Sequence, residues 1–225
     1  MKKIGIVVAM NVESEPLQEV FGAPVKDYSY GIFSVKEYVY ADKEIYFATC
    51  TEGEIMASVC TQYLISNFNV ELIFNYGLAG SLDGRKLGET LLVKGVAHYE
   101  FDLSPLNGDP AGKYERFTST VIPTDADMRE KVKQIYPDMT EVVCASGNKF
   151  VADDTLKNKL KDDYGASVCE MESAGVLLTS LNAGVPQVIV KVVSDSGDDA
   201  TEFVDYVNGK NTEYINLVAK LLEKI

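Results

Sequence analysis

Short blocks of consecutive apolar residues alternate along this chain with stretches in which apolar residues recur at helical spacing. Lys3 to Ala9, Leu72 to Tyr76, Leu91 to Tyr99, Glu141 to Ala145 and Val188 to Val193 are short runs rich in Ile, Val and Leu, the pattern of buried strands. Gly31 to Tyr40 and Glu44 to Cys50 are β-rich and split by Ala41-Asp42-Lys43, which predicts a hairpin. Ile55 to Phe68, Asp125 to Ile135, Asp153 to Asp163 and Thr212 to Leu222 predict helices, the last amphipathic. Asn11 or Ser14 is placed to cap a short helix after the first strand, with Pro16 near its start. Val168 to Leu181 predicts an apolar helix, ended by Asn182-Ala183-Gly184 with Pro186 beyond. Ala111 to Thr118 is polar and reads as a loop. Alternating elements with buried strands predict an α/β layered fold around a mixed, largely parallel sheet. No repeat, linker or low-complexity stretch divides the chain, so one domain over residues 1–225 is expected.

Composition narrows the function. The 225 residues are 46% hydrophobic and 24% charged, with a net charge of −13. Such acidity disfavours nucleic-acid and anionic-membrane surfaces, which need clustered Lys and Arg. Cys50, Cys60, Cys144 and Cys169 are scattered, with no CxxC pair and no His set at ligand spacing. Most lie in or beside apolar runs and read as buried small hydrophobes, not a disulfide framework. His98 is the only histidine, which leaves almost no material for a His-based metal site or a Ser-His-Asp triad. No apolar run reaches transmembrane length. Met1 runs straight into an apolar strand without a full signal-peptide core or cleavage site, so the cytoplasm is the expected location.

In sheets of this kind ligands bind at the carboxyl ends of strands. Four predicted strands end in polar or glycine-rich segments: Ala9 to Glu13, Asn75 to Ser81, Ala145 to Val151, and Val192 to Asp198. Each has a plain structural reading. Gly77-Leu78-Ala79-Gly80 reads equally well as a tight strand-to-helix turn, Glu13 as a charge favoured by a helix start, and Ser194-Asp195 as a cap or turn. Glu170 and Glu172 resist that reading. They lie in an otherwise mostly apolar stretch, so at least one carboxyl is poorly solvated and requires a partner.

As an ordered set these segments resemble a known family. Ile6-Val7-Val8-Ala9-Met10 with Glu13, Asn75 to Gly80, Ser146-Gly147-x-x-Phe150, Glu170-Met171-Glu172 and Val193-Ser194-Asp195 are similar to the nucleoside phosphorylase/nucleosidase superfamily. The likeness is strongest to 5′-methylthioadenosine/S-adenosylhomocysteine nucleosidases, and it runs from Lys3 to Leu222. It implies a three-layer α/β/α sandwich around a twisted sheet, a homodimer, and cleavage of a purine nucleoside without metal or organic cofactor. The reaction passes through an oxocarbenium-like sugar. The resemblance assigns Asp195 to protonate the departing base, with Ser194 orienting it, so Asp195 must hold its proton near neutral pH. It assigns Glu13 to activate the water and Glu172 to bind the ribose hydroxyls. Met171 packs on the sugar, Glu170 supports from behind, Phe150 stacks on the base and the backbone of Val151 reads its edge. Leu78, Ala79 and Gly80 line the sugar and base pocket.

The chain also departs from the family pattern. Thr51-Glu52-Gly53-Glu54 stands for a Gly-x-Gly-Lys segment, Leu78 for a small polar residue, and Lys191 for an arginine. The stretches Ser104 to Gly112 and beyond Asp199 are short, and in the family the first region lends residues to a neighbouring subunit's 5′ pocket. Hydrolysis is favoured because a phosphorylase holds phosphate with arginines, and only Arg85, Arg116 and Arg129 are present. Arg85, near the glycine segment, keeps a purine or uridine phosphorylase open as the alternative. A nucleoside-binding protein without turnover is the alternative from another class. A nucleophile elbow and a dinucleotide turn are both missing.

Overall fold

A computed structural model describes residues 2–29, 31–197, 200–209 and 212–225. The elements in chain order are β1 (Lys2–Val8), α1 (Asn11–Phe21), β2 (Lys26–Asp27), β3 (Ser34–Tyr40), β4 (Lys43–Thr49), α2 (Glu54–Phe68), β5 (Leu72–Ser81), β6 (Thr90–His98) and α3 (Ser104–Asn107). They continue with β7 (Val121–Pro123), α4 (Ala126–Ile135), β8 (Glu141–Ser146), α5 (Asp154–Tyr164), β9 (Val168–Glu170), α6 (Ser173–Ala183), β10 (Gln187–Asp195), α7 (Ala200–Asn208) and α8 (Tyr214–Lys224).

The period-two alternation within each buried run sorts side chains onto the two faces of one mixed sheet. Ile4, Ile6, Val8, Phe74 and Tyr76 face a layer that includes Leu17 of α1, Val132 of α4 and Val218 and Leu222 of α8. Val7 and Ile73 face the opposite layer, with Cys60 and Leu64 of α2 and Val176 of α6. Burying each of these large side chains contributes about 1.5–3 kcal/mol. Helices therefore cover both faces, in an α/β/α arrangement.

β1 runs parallel to β4 and β5, and β5 runs parallel to β10. β10 pairs antiparallel with β6, β6 parallel with β8, β8 parallel with β9, and β9 returns to pair antiparallel with the tail of β5. These five strands thus form a closed ring at one end of the sheet. The β3–β4 hairpin turns on two residues, Ala41 and Asp42, both at positive φ, where three had been expected.

Two sequence readings change here. Gly77 to Gly80 is not a strand-to-helix turn but the second half of β5, buried throughout. Val168 to Leu181 is not one helix: Val168–Glu170 pairs as β9, and α6 begins only at Ser173. Short apolar runs do not distinguish a buried strand from a buried helix, and the ring supplies the pairing partners that decide for strand. The helix α7 falls in a stretch the sequence reading left unassigned.

Candidate active site

The carboxyl ends of β1, β4, β5, β8, β9 and β10 gather around one cleft. Its empty volume is about 740 Å³, open to solvent at its mouth. Glu13, Leu78, Ala79, Gly80, Phe150, Val151, Glu170, Met171, Glu172, Ser194 and Asp195 all line it. Residues from five separate stretches of sequence thus share one cavity. Ser194-Asp195 is no helix cap; it ends β10, where Asp195 Oδ1 accepts the Gly197 N–H two residues on, the turn bond open to it from the sequence.

Each acid is held by its local backbone. Glu13 sits in the first turn of α1, buried, with Oε2 accepting the Met10 N–H at 2.9 Å and Oε1 accepting the Leu78 N–H at 2.7 Å. The anticipated cap by Asn11 or Ser14 is not what starts this helix; Glu13 reaches back to Met10 instead. A Cβ at Gly77 would lie 2.9 Å from Glu13 Oε1, so a larger residue there would push the carboxyl off its present position. Burial pushes the Glu13 carboxyl above its ordinary value, and the two backbone hydrogen bonds oppose this in part.

Glu170 closes β9 and caps α6, accepting the N–H groups of Glu172 at 3.1 Å and Ser173 at 2.9 Å. Burial pushes its carboxyl up, but the Lys191 ammonium 2.7 Å away overrides this and holds it below the ordinary value. Glu172, two residues on, accepts the Gly53 N–H at 2.8 Å. Burial and the neighbouring Glu170 charge push the Glu172 carboxyl up to about 8. The two adjacent carboxyls are thereby driven apart, Glu170 held ionised by the Lys191 ammonium and Glu172 raised by burial and by its neighbour's charge.

Asp195, at the end of β10, accepts the Ser194 hydroxyl on Oδ2 at 2.7 Å and the Gly197 N–H on Oδ1 at 2.9 Å. A Cβ at Gly80 would stand 2.8 Å from Asp195 Oδ1. At the mouth, Phe150 is 46% exposed and meets Phe203 of α7 edge-on, with ring centroids 5.5 Å apart. The cleft therefore has acids at its floor and aromatic rings at its lip.

Sequence reasoning gave no role to Ala9, Met10, Glu52, Lys149, Cys169 or Phe203, which also line the cleft. Lys149 and Cys169 adjoin motif residues and were findable by proximity; Phe203 was hidden with α7. Glu52 belongs to the altered Thr51 to Glu54 loop, where Thr51 adopts φ +69° and Gly53 φ +100°. The loop is pinned by Thr51 N–H to Ala9 carbonyl at 2.9 Å and Glu54 N–H to Asn148 Oδ1 at 3.0 Å. Glu54, standing where a lysine was expected, meets His98 Nε2 at 2.7 Å.

Arg85 is engaged elsewhere, with Asp83 at 3.1 Å and Glu89 at 3.4 Å. Arg129 binds Glu141 at 3.0 Å, and Arg116 lies over the Phe117 ring. None of the three is among the cleft-lining residues.

A family model described as the phosphorylase superfamily matches residues 3–225. The chain belongs to the phosphorylase superfamily. Within the superfamily, it is 30% identical over 204 residues to an aminodeoxyfutalosine nucleosidase of Helicobacter pylori strain J99, covering 88% of each chain. It is 26% identical over 237 residues to a 5′-methylthioadenosine/S-adenosylhomocysteine nucleosidase of Buchnera aphidicola, covering 98% of each. The structure of the corresponding Helicobacter pylori nucleosidase with butyl-thio-DADMe-Immucillin-A matches with a TM-score of 0.93 at 27% identity, over 100% of this chain and 99% of that one. The mixed α/β architecture expected from the sequence is thus the superfamily's own.

Proposed function

We propose that this protein hydrolyses the N-glycosidic bond of purine nucleosides of the 5′-methylthioadenosine/S-adenosylhomocysteine type, releasing adenine and the ribose derivative. The observation that carries this reading is the meeting of Glu13, Glu172 and Asp195 around one cleft. Each is buried, so each acts in a medium where charge matters more than in water.

Water enters beneath C1′ of the sugar. Glu13 takes a proton from it; a carboxyl raised by burial is a stronger base than an exposed one. Its backbone hydrogen bonds fix its direction while leaving lone pairs for the water. The water oxygen bonds to C1′ as the C1′–N9 bond breaks, and that electron pair leaves with the purine. Asp195 delivers a proton to N7 of the base, with Ser194 and Gly197 fixing the carboxyl's orientation. Glu172, once ionised, accepts from the ribose hydroxyls and favours positive charge on the ring. Met171 packs on the sugar, Phe150 on the base, and the backbone of Val151 along the base edge; Leu78, Ala79 and Gly80 complete the wall. No step needs a metal or an organic cofactor.

The absence of all three arginines from the cleft lining favours water over phosphate as the attacking group. A homodimer in the cytoplasm goes with this reading. Among the described residues no helix is long and apolar enough to cross a membrane.

Asp195→Asn tests the assignment of the acid. It should lower kcat for 5′-methylthioadenosine by about a hundredfold or more while nucleoside binding survives. An Asn variant with unimpaired turnover removes Asp195 from the mechanism.

A further inference from the structure

Lys191 lies in the middle of β10 at 1% exposure, yet the steps above give it no task. It does not line the cleft. It lies just behind it: its ammonium is 2.7 Å from Glu170 Oε2, and its register partner on β5 is Gly77, the residue that makes room for Glu13. Glu170 in turn holds the N–H groups of Glu172 and Ser173, while Ser146 Oγ holds that of Ala174. A buried ammonium thus stands behind a buried carboxylate whose oxygens fix the first turn of α6, and with it Glu172.

Resting on the hydrolase reading, we propose that Lys191 is a positioning residue that acts through Glu170: it is the counter-charge of the cleft, holding Glu170 ionised over the start of α6 and thereby setting the placement and charge of Glu172. The alternative, a buried pair that merely fills space, is a real competitor, because apolar residues often replace buried ion pairs without loss of stability. The surroundings decide against it. The groups facing Glu172 are Glu170 from β9, Glu13 from α1, Cys50 beyond β4 and Lys191 from β10, and among them Lys191 alone carries positive charge. Removing it leaves Glu170 and Glu172 against one another at low dielectric without a counter-charge, so the pair keeps a proton to higher pH and both carboxyls are ionised together only above the wild type's range.

The test is the pH profile of kcat/KM for 5′-methylthioadenosine in the wild type, Lys191→Met and Lys191→Arg. Lys191→Met should lower kcat/KM at pH 7 by about 10–100-fold, as expected when a change behind the cleft misplaces a reacting group, and move the acid limb upward by about one pH unit or more. Lys191→Arg keeps the charge and should keep the limb where the wild type has it. A Lys191→Met enzyme whose limb coincides with that of the wild type overturns the proposal. Removing one member of a buried pair can cost the fold, so Glu170→Gln/Lys191→Met, without either charge, is the second variant. It should show a limb near the wild type's and a kcat/KM still reduced at least about tenfold, because the start of α6 loses its carboxylate acceptor; wild-type kcat/KM in that variant also overturns the proposal. If the wild type releases no base from any nucleoside, it is the hydrolase reading that fails. The same limb is then read from the pH dependence of adenosine binding by calorimetry, so the two failures stay distinct.

Discussion

At the scale of single residues, the site is a problem in where to keep charge. Glu172 is the clearest case, since its carboxyl is pushed from an ordinary 4.5 up to about 8 by burial and by Glu170. A raised carboxyl titrates later in the folded state than in the unfolded chain. Its contribution to stability is therefore present at low pH and is lost as pH rises from about 4.5 to about 8. Glu172→Gln stays neutral throughout and can still accept the Gly53 N–H. We expect it to be more stable than the wild type by roughly 4 kcal/mol at pH 8 and by less than about 1 kcal/mol at pH 5, while losing activity. Chemical denaturation at the two pH values checks this, and a variant less stable at pH 8 contradicts it. That an acid in this stretch needs a partner was legible in the sequence, because apolar neighbours surround it. What it partners was not: Gly53 lies 119 positions away, and nothing in local spacing links the two.

At the scale of elements, β5 shows how a strand can serve a site. Its second half pairs with β10 on one side and β9 on the other. Its glycines let Glu13 and Asp195 approach the backbone, where a Cβ at Gly77 or Gly80 would press on their oxygens. Asp195 is held by Ser194 and Gly197, so it cannot swing aside freely. Gly80→Ala should therefore cut kcat by about 10–100-fold with only a small change in Tm, as expected when a reacting group is displaced by a fraction of an ångström. Equal losses of rate and stability would mean that the glycine serves the fold and not the acid. Element type was legible for most long segments, from β1 to α8. It failed at Val168 to Leu181 because a three-residue strand joined to a helix through Met171-Glu172 carries no periodicity of its own. Only the closed ring of strands, a long-range fact, reveals it. The same limit hid α7 and with it Phe203.

At the scale of the whole molecule, membership in the phosphorylase superfamily spans residues 3–225, and the ordered motifs that suggested it occur at strand ends converging on one cleft. Composition pointed away from nucleic-acid surfaces by its charge of −13, and it pointed no further. The homodimer comes from resemblance alone, and sedimentation equilibrium should return twice the 24.7 kDa chain mass; a single-chain mass at micromolar concentration contradicts it. The central claim concerns the nucleophile, and phosphate dependence tests it most directly. Adenine release from 5′-methylthioadenosine should proceed at the same rate in phosphate-free buffer and in excess phosphate, with a sugar product that carries no phosphate. A rate that vanishes without phosphate, with a sugar 1-phosphate formed when it is restored, would contradict the account.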